Sequence, residues 1–127
     1  MTLYHFCAEK HVRQILRSGL TVGAVAEPTF PGFIIHNGYI WLTTDPDPKR
    51  QSWATRNMIK YSRTAYRLTV EIPAGECYRI HDRDTLTLMF PNSYMLFERW
   101  AGSENWRVFH GVIPKAWIVK AERMEGA

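Results

Sequence analysis

A chain of 127 residues is long enough for one domain with a real core and too short for two. Hydrophobic residues make up 46% and aromatic residues 13%, which excludes intrinsic disorder, because such a chain has ample apolar surface to offset the entropy of ordering. The net charge of +4, from 16 Lys and Arg against 12 Asp and Glu, is spread in mixed-sign clusters. It forms no basic stripe of the kind a duplex-binding surface carries, yet it suits a phosphate-bearing ligand.

Cys7 and Cys77 make no Cys-x-x-Cys pair, and a disulfide framework needs more of them, so both read as reduced core thiols. Neither a signal-peptide pattern nor an 18-residue apolar span is visible. The expectation is therefore a cytoplasmic protein with no membrane partner.

Residues 3–6 read as a short strand. Val12, Ile15, Leu16 and Leu20 then recur at helical spacing behind the charged face of Glu9, Lys10, Arg13 and Arg17, and Gly19 stands where a helix cap favours glycine. Residues 21–37 contain Gly23, Pro28, Pro31 and Gly32 with little periodicity, which predicts a long loop and a candidate ligand lid. Residues 39–43 form a strand, and Asp47 with Pro48 supplies an N-cap and first position for a helix expected to reach Met58.

Over residues 65–72, Tyr66, Leu68, Val70 and Ile72 alternate with Arg67, Thr69 and Glu71, the period of a half-buried strand. A turn at Pro73-Ala74-Gly75 leads to an expected strand over 77–80 and a polar loop over 81–84. Asn92 or Ser93 can cap a helix running to Trp100, and residues 106–110 and 117–121 close the fold as strands. Many short strands and about three helices in irregular order predict a single α+β domain over 1–127, not an alternating parallel fold.

The chemistry concentrates in three separated segments. His5 lies between two aromatics on the first strand, where a ring nitrogen can bond a ligand hydroxyl, although a packed histidine is the plainer reading of that residue alone. Trp41 and Trp53 flank one polar corner and could bracket a planar heterocycle, with Thr43, Thr44 and Ser52 adding hydroxyls; each tryptophan alone would pass as core. Of the late carboxylates, Glu98 sits in a helical pattern beside Arg99, while Glu104 stands just before a strand, where it can project into a cleft. A carboxylate there can stabilise positive charge on a ribose as its glycosidic bond breaks.

The histidines show no metal-ligand spacing, so no metal is expected. Nucleotide-binding glycine fingerprints and a serine-nucleophile elbow are also missing from the sequence.

Leu3-Tyr4-His5 with Ile15-Leu16-Arg17-Ser18-Gly19-Leu20, then Gly38-Tyr39-Ile40-Trp41-Leu42-Thr43, then Glu104 with residues 106–109, resemble in order the three motifs of the ADP-ribosyltransferase superfamily. The resemblance is to the His-Tyr-Glu branch that includes diphtheria-type toxins and the poly(ADP-ribose) polymerases, and it spans most of the chain. It implies a split mixed or antiparallel sheet flanked by about three short helices. It also implies NAD as the ADP-ribose donor, nicotinamide as leaving group, and an unidentified protein or nucleic-acid acceptor, in the manner of a small toxin or effector.

By this likeness His5 would bind the nicotinamide-side ribose, Trp41 would take the place of the family tyrosine, Ser52 and Trp53 would hold nicotinamide, and Glu104 would be catalytic. The chain departs from the family at Phe6, where glycine is common, and at Trp41, and it offers Glu98 beside Glu104. Two alternatives share the same motifs: an NAD-dependent RNA 2′-phosphotransferase using Arg13, Arg17 and Arg107, and a non-catalytic module that binds nucleic acid or protein.

Overall fold

The structure, a computed structural model, describes residues 1–29, 31–50, 63–98 and 102–124. Its elements are β1 (Thr2–Cys7), α1 (Glu9–Ser18), β2 (Ala24–Pro28), β3 (Phe33–Asn37), β4 (Tyr39–Thr43), β5 (Tyr66–Glu71), β6 (Ile80–Asp82), α2 (Arg83–Met89), α3 (Tyr94–Glu98), β7 (Trp106–His110) and β8 (Ile118–Arg123). Among the described residues the main sheet has the order β6-β7-β4-β1-β5-β8 and every pairing in it is antiparallel. Strands β2 and β3 form a separate hairpin. The class is α+β.

Alternation along the strands builds a core on each face. On one face Leu3, Ile40, Leu42, Val70, Ile72 and Phe109 pack with Leu20 and Ile113, and the partly buried Ile15 of α1 joins them. The helix adds Val12 against Cys7 and Leu68. On the other face Val108 and Tyr39 pack with Val25 of the hairpin, Leu86 of α2 and Phe97 of α3, with Trp41, Phe90 and Trp106 partly buried at the margin.

Gly19 ends α1 as expected, its N–H returning to the Ile15 carbonyl. Its φ of 81° with ψ of −174° is an extended positive-φ conformation, not a left-handed helical cap. The chain must leave straight so that Leu20 and Ile113 can exchange backbone hydrogen bonds of 2.9 and 3.0 Å. A Cβ at Gly19 would stand 2.3 Å from the Ile113 carbonyl oxygen, so glycine is required for space as well as for conformation.

Three expectations are corrected. The segment 21–37 is no loop or lid but carries the β2–β3 hairpin, paired from Ala24↔Asn37 to Pro28↔Phe33. Val25 is fully buried, and Glu27 is buried between His36 Nε2 at 3.0 Å and the Asn92 N–H at 3.1 Å, an inward carboxylate that hides the alternation. Residues 77–80 are not a strand throughout: a 3₁₀ helix, Ala74–Arg79, precedes the short β6. Residues 81–84 are the end of β6 and the start of α2, whose first turn is capped by the Asp82 carboxylate accepting the Thr85 N–H at 2.8 Å.

Candidate functional site

The middle of the sheet is a seam. Strand β1 pairs with β5 along its whole length, from Thr2↔Glu71 to Cys7↔Tyr66, but meets β4 at one register pair, Tyr4↔Thr43. Past that pair the imidazole of His5 bridges the strands, its Nδ1 lying 2.8 Å from the Trp41 carbonyl oxygen. A carbonyl only accepts, so Nδ1 carries the proton and Nε2 is left as an acceptor. Burial pushes the His5 pKa below its ordinary value, the Trp41 carbonyl opposes that, and nearby His11 adds to the lowering. The ring is thus held neutral and in one tautomer at neutral pH.

His5 and Trp41 approach this seam from opposite sides. The ladder partner of His5 is Leu68, which packs with Cys7 and Val12 beneath α1. Trp41 and Thr43 pair instead with Val108 and Trp106, and Trp41 packs against the hairpin-side core. Strand alternation therefore puts His5 on one face and Trp41 with Thr43 on the other. Only at the seam, through the His5 to Trp41 hydrogen bond, do they meet.

The indole N–H of Trp41 donates to the Ala24 carbonyl at 2.8 Å, and its ring meets Trp106 edge-to-face with centroids 5.7 Å apart. Trp41 is half-buried, which leaves ring surface and no free donor for a ligand. Thr43 is buried, and its Oγ1 accepts the Asp45 N–H at 3.0 Å while keeping its own proton to donate.

The polar corner after β4 is wound by its own carboxylates. The Asp47 N–H donates to Asp45 Oδ1 at 3.0 Å, and the Lys49 N–H to Asp47 Oδ1 at 2.8 Å, so Asp47 caps the 3₁₀ turn Pro48–Arg50 as its sequence predicts. Ser52, Trp53 and the rest of the expected helix lie outside the described residues. Arg67 anchors the corner to the sheet: Nη1 donates to the Pro46 carbonyl at 2.8 Å, Nη2 to Glu122 Oε1 at 2.9 Å, and the guanidinium lies 5.6 Å from the Tyr4 ring centroid. Arg67 in turn lowers the pKa of Glu122.

Glu104 occupies a 3₁₀ turn, Ser103–Asn105, directly before β7. Asn105 ties that turn to the end of β4, its carbonyl accepting the Thr44 N–H at 3.0 Å and its Oδ1 the Thr44 hydroxyl at 3.2 Å. Arg107 Nη1 donates to the carbonyls of Glu104 at 2.9 Å and Trp106 at 2.8 Å. Arg83 Nη1 donates to the Ser103 hydroxyl at 3.0 Å, and that hydroxyl donates to the Phe97 carbonyl at 3.1 Å. The backbone of Glu104 is pinned, while its carboxylate is 61% exposed and 3.9 Å from Arg83.

The turn bearing Glu104, the end of β4 and the His5 step of β1 therefore stand side by side across two strand spacings, roughly 10 Å. The side chain of Glu98, at the last position of α3, lies outside the description. Arg83, Asn105 and Arg67 escaped the sequence analysis. Arg83 had a usable signal in the Asp82-to-Thr85 cap spacing with Leu86 behind it, whereas Asn105 and Arg67 act through contacts that no local pattern encodes. Among the described residues no group of three or more His, Cys, Asp or Glu could hold a metal, and no helix is long and apolar enough to cross a membrane. No protein-family model, curated protein or solved structure matches the chain.

Proposed function

We propose that the protein is an NAD-dependent ADP-ribosyltransferase on a split-sheet ADP-ribosyltransferase-like fold, acting on a protein or nucleic-acid acceptor in the manner of a small toxin or effector. One observation carries the reading: the three segments that resemble the family motifs, far apart in sequence, are neighbours in the order β7-β4-β1. The strands part at the histidine, and the acidic turn is stitched to the adjoining strand end.

In this reading the neutral His5 accepts a ribose hydroxyl proton at Nε2, its orientation fixed by Nδ1–H on Trp41. The exposed ring surfaces of Trp41 and Trp106 offer apolar contact for the nucleotide. As the bond from the ribose anomeric carbon to nicotinamide nitrogen breaks, its electron pair leaves with nicotinamide and positive charge grows on the ribose. The carboxylate of Glu104 faces that charge and lowers the barrier electrostatically, after which the acceptor nucleophile forms the new bond and releases its proton. Ser52 and Trp53 are assigned to nicotinamide by the resemblance alone.

The 2′-phosphotransferase alternative is less well supported, because Arg107 is committed to two backbone carbonyls. Incubation with NAD labelled in the adenosine half and with protein and RNA acceptors tests the proposal. Nicotinamide release with label on an acceptor is expected, and Glu104→Gln should slow it by about 10²–10³-fold. Intact NAD together with measurable RNA or protein binding would instead support the non-catalytic module.

A further inference from the structure

We infer that Arg83 is a positioning residue for Glu104, a role that rests on Glu104 being the carboxylate of the proposed reaction. Arg83 begins α2 immediately after Asp82, and two features make that start rigid. Asp82 pairs with Arg107 in the β6–β7 ladder, and its carboxylate caps the helix through the Thr85 N–H. From this frame the guanidinium reaches across to the 3₁₀ turn that precedes β7.

There it makes two contacts with different consequences. The bond to Ser103 Oγ, a buried hydroxyl already tied to α3 at the Phe97 carbonyl, fixes the turn against the helices. The ion pair with Glu104 Oε2, at 3.9 Å between groups 41% and 61% exposed, is too loose and too well solvated to matter much for stability. Its geometry nevertheless draws the carboxylate toward one side of the turn. A side chain on a turn held by Arg83, Arg107 and Asn105 keeps its remaining freedom in its own rotamers, and Arg83 is placed to restrict them. Preorganisation of this kind acts on the reacting complex more than on substrate binding.

The test compares wild type with Arg83→Gln, which removes the charge and withdraws the head group from Ser103, and with Arg83→Lys, which restores the charge on an unforked head. Nicotinamide release from NAD is expected to fall about two- to fivefold in kcat for Arg83→Gln with KM little changed, and Arg83→Lys should recover part of the loss. Three-bond NMR couplings about χ1 of Glu104 provide a readout that needs no activity: a rotamer distribution in wild type that shifts in Arg83→Gln.

Identical couplings in wild type and Arg83→Gln overturn the positioning role, as does an unchanged kcat in an active protein. An inactive wild type with the expected change in couplings would sink the transferase reading while leaving the orientation of Glu104 by Arg83 standing. Should Arg83→Gln fail to fold, Arg83→Lys carries both readouts, with unchanged couplings and unchanged kcat again the refuting result.

Discussion

Acid should destabilise the fold in a step to which His5 contributes. Its pKa in the folded protein is below the ordinary value of 6.5, burial being the main cause. As pH falls below that value the unfolded chain takes up a proton that the folded chain refuses. The stability contributed by the neutral ring is therefore complete above the unfolded pKa and is lost as pH drops from there toward the folded pKa. For one histidine the slope approaches about 1.4 kcal/mol per pH unit within that window.

His81 is lowered as well, by burial first and by His110 second, and adds to the same limb. The carboxylates Asp82 and Glu122 are also lowered, Asp82 chiefly by the Thr85 N–H and Glu122 chiefly by Arg67, but theirs is stability present above the ordinary carboxylate range and lost only as pH falls through it. The two steps separate. Urea unfolding followed by tryptophan fluorescence between about pH 7.5 and pH 5 isolates the histidine step. His5→Asn keeps an N–H donor near the Trp41 carbonyl and removes the titration, so its stability should fall less steeply with acid than that of wild type. Parallel pH profiles for the two proteins would refute the account of a buried neutral imidazole at the seam.

Replacing Glu27 with Ala strands His36 Nε2 and the Asn92 N–H, and should cost about 2–4 kcal/mol. A loss under about 1 kcal/mol in urea unfolding would show that the hairpin is not held there. The Cys7 thiol, its pKa pushed up to about 11 by burial, should resist iodoacetamide in the native protein near neutral pH and react once urea unfolds it, as peptide mass spectrometry can establish. Modification of native Cys7 at the unfolded rate would contradict its packing beneath α1.

The elements that could be read in advance are those whose apolar residues keep one period and one polarity. Residues 39–43 and 106–110 appear as strands with the expected bounds, and the Leu68 and Val70 alternation marks β5. Two of the failures trace to carboxylates whose hydrogen-bond partners decide the local structure. Glu27 points inward because His36 and Asn92 receive it, while Phe33, Ile34 and Ile35 of β3 are exposed, so the hairpin shows reversed polarity to any reading of pattern. Asp82 caps α2 over the span expected to be a polar loop. The cap at Asp82 has its partner three residues on, at Thr85, and so leaves a local trace, whereas Glu27 is received by His36 and Asn92, the latter far along the chain.

The same distinction governs the site. Residue types and chain order pointed to His5, Trp41, Thr43 and Glu104, and the sheet order places their segments next to one another. What the pattern did not hold is the division of these residues between two faces: His5 shares its side with Leu68, Trp41 shares the other with Val108. A ligand that touches both must therefore enter where β1 and β4 part, not lie on a continuous face. This constrains any substrate more tightly than the list of residues does. In the proposed reaction the ribose would lie at the seam between the acidic turn and the imidazole, and the turn itself is held to β4 by Asn105 and to β7 by Arg107. The place where the two strands part is marked by the last register pair, Tyr4↔Thr43, and by the His5 to Trp41 hydrogen bond just beyond it.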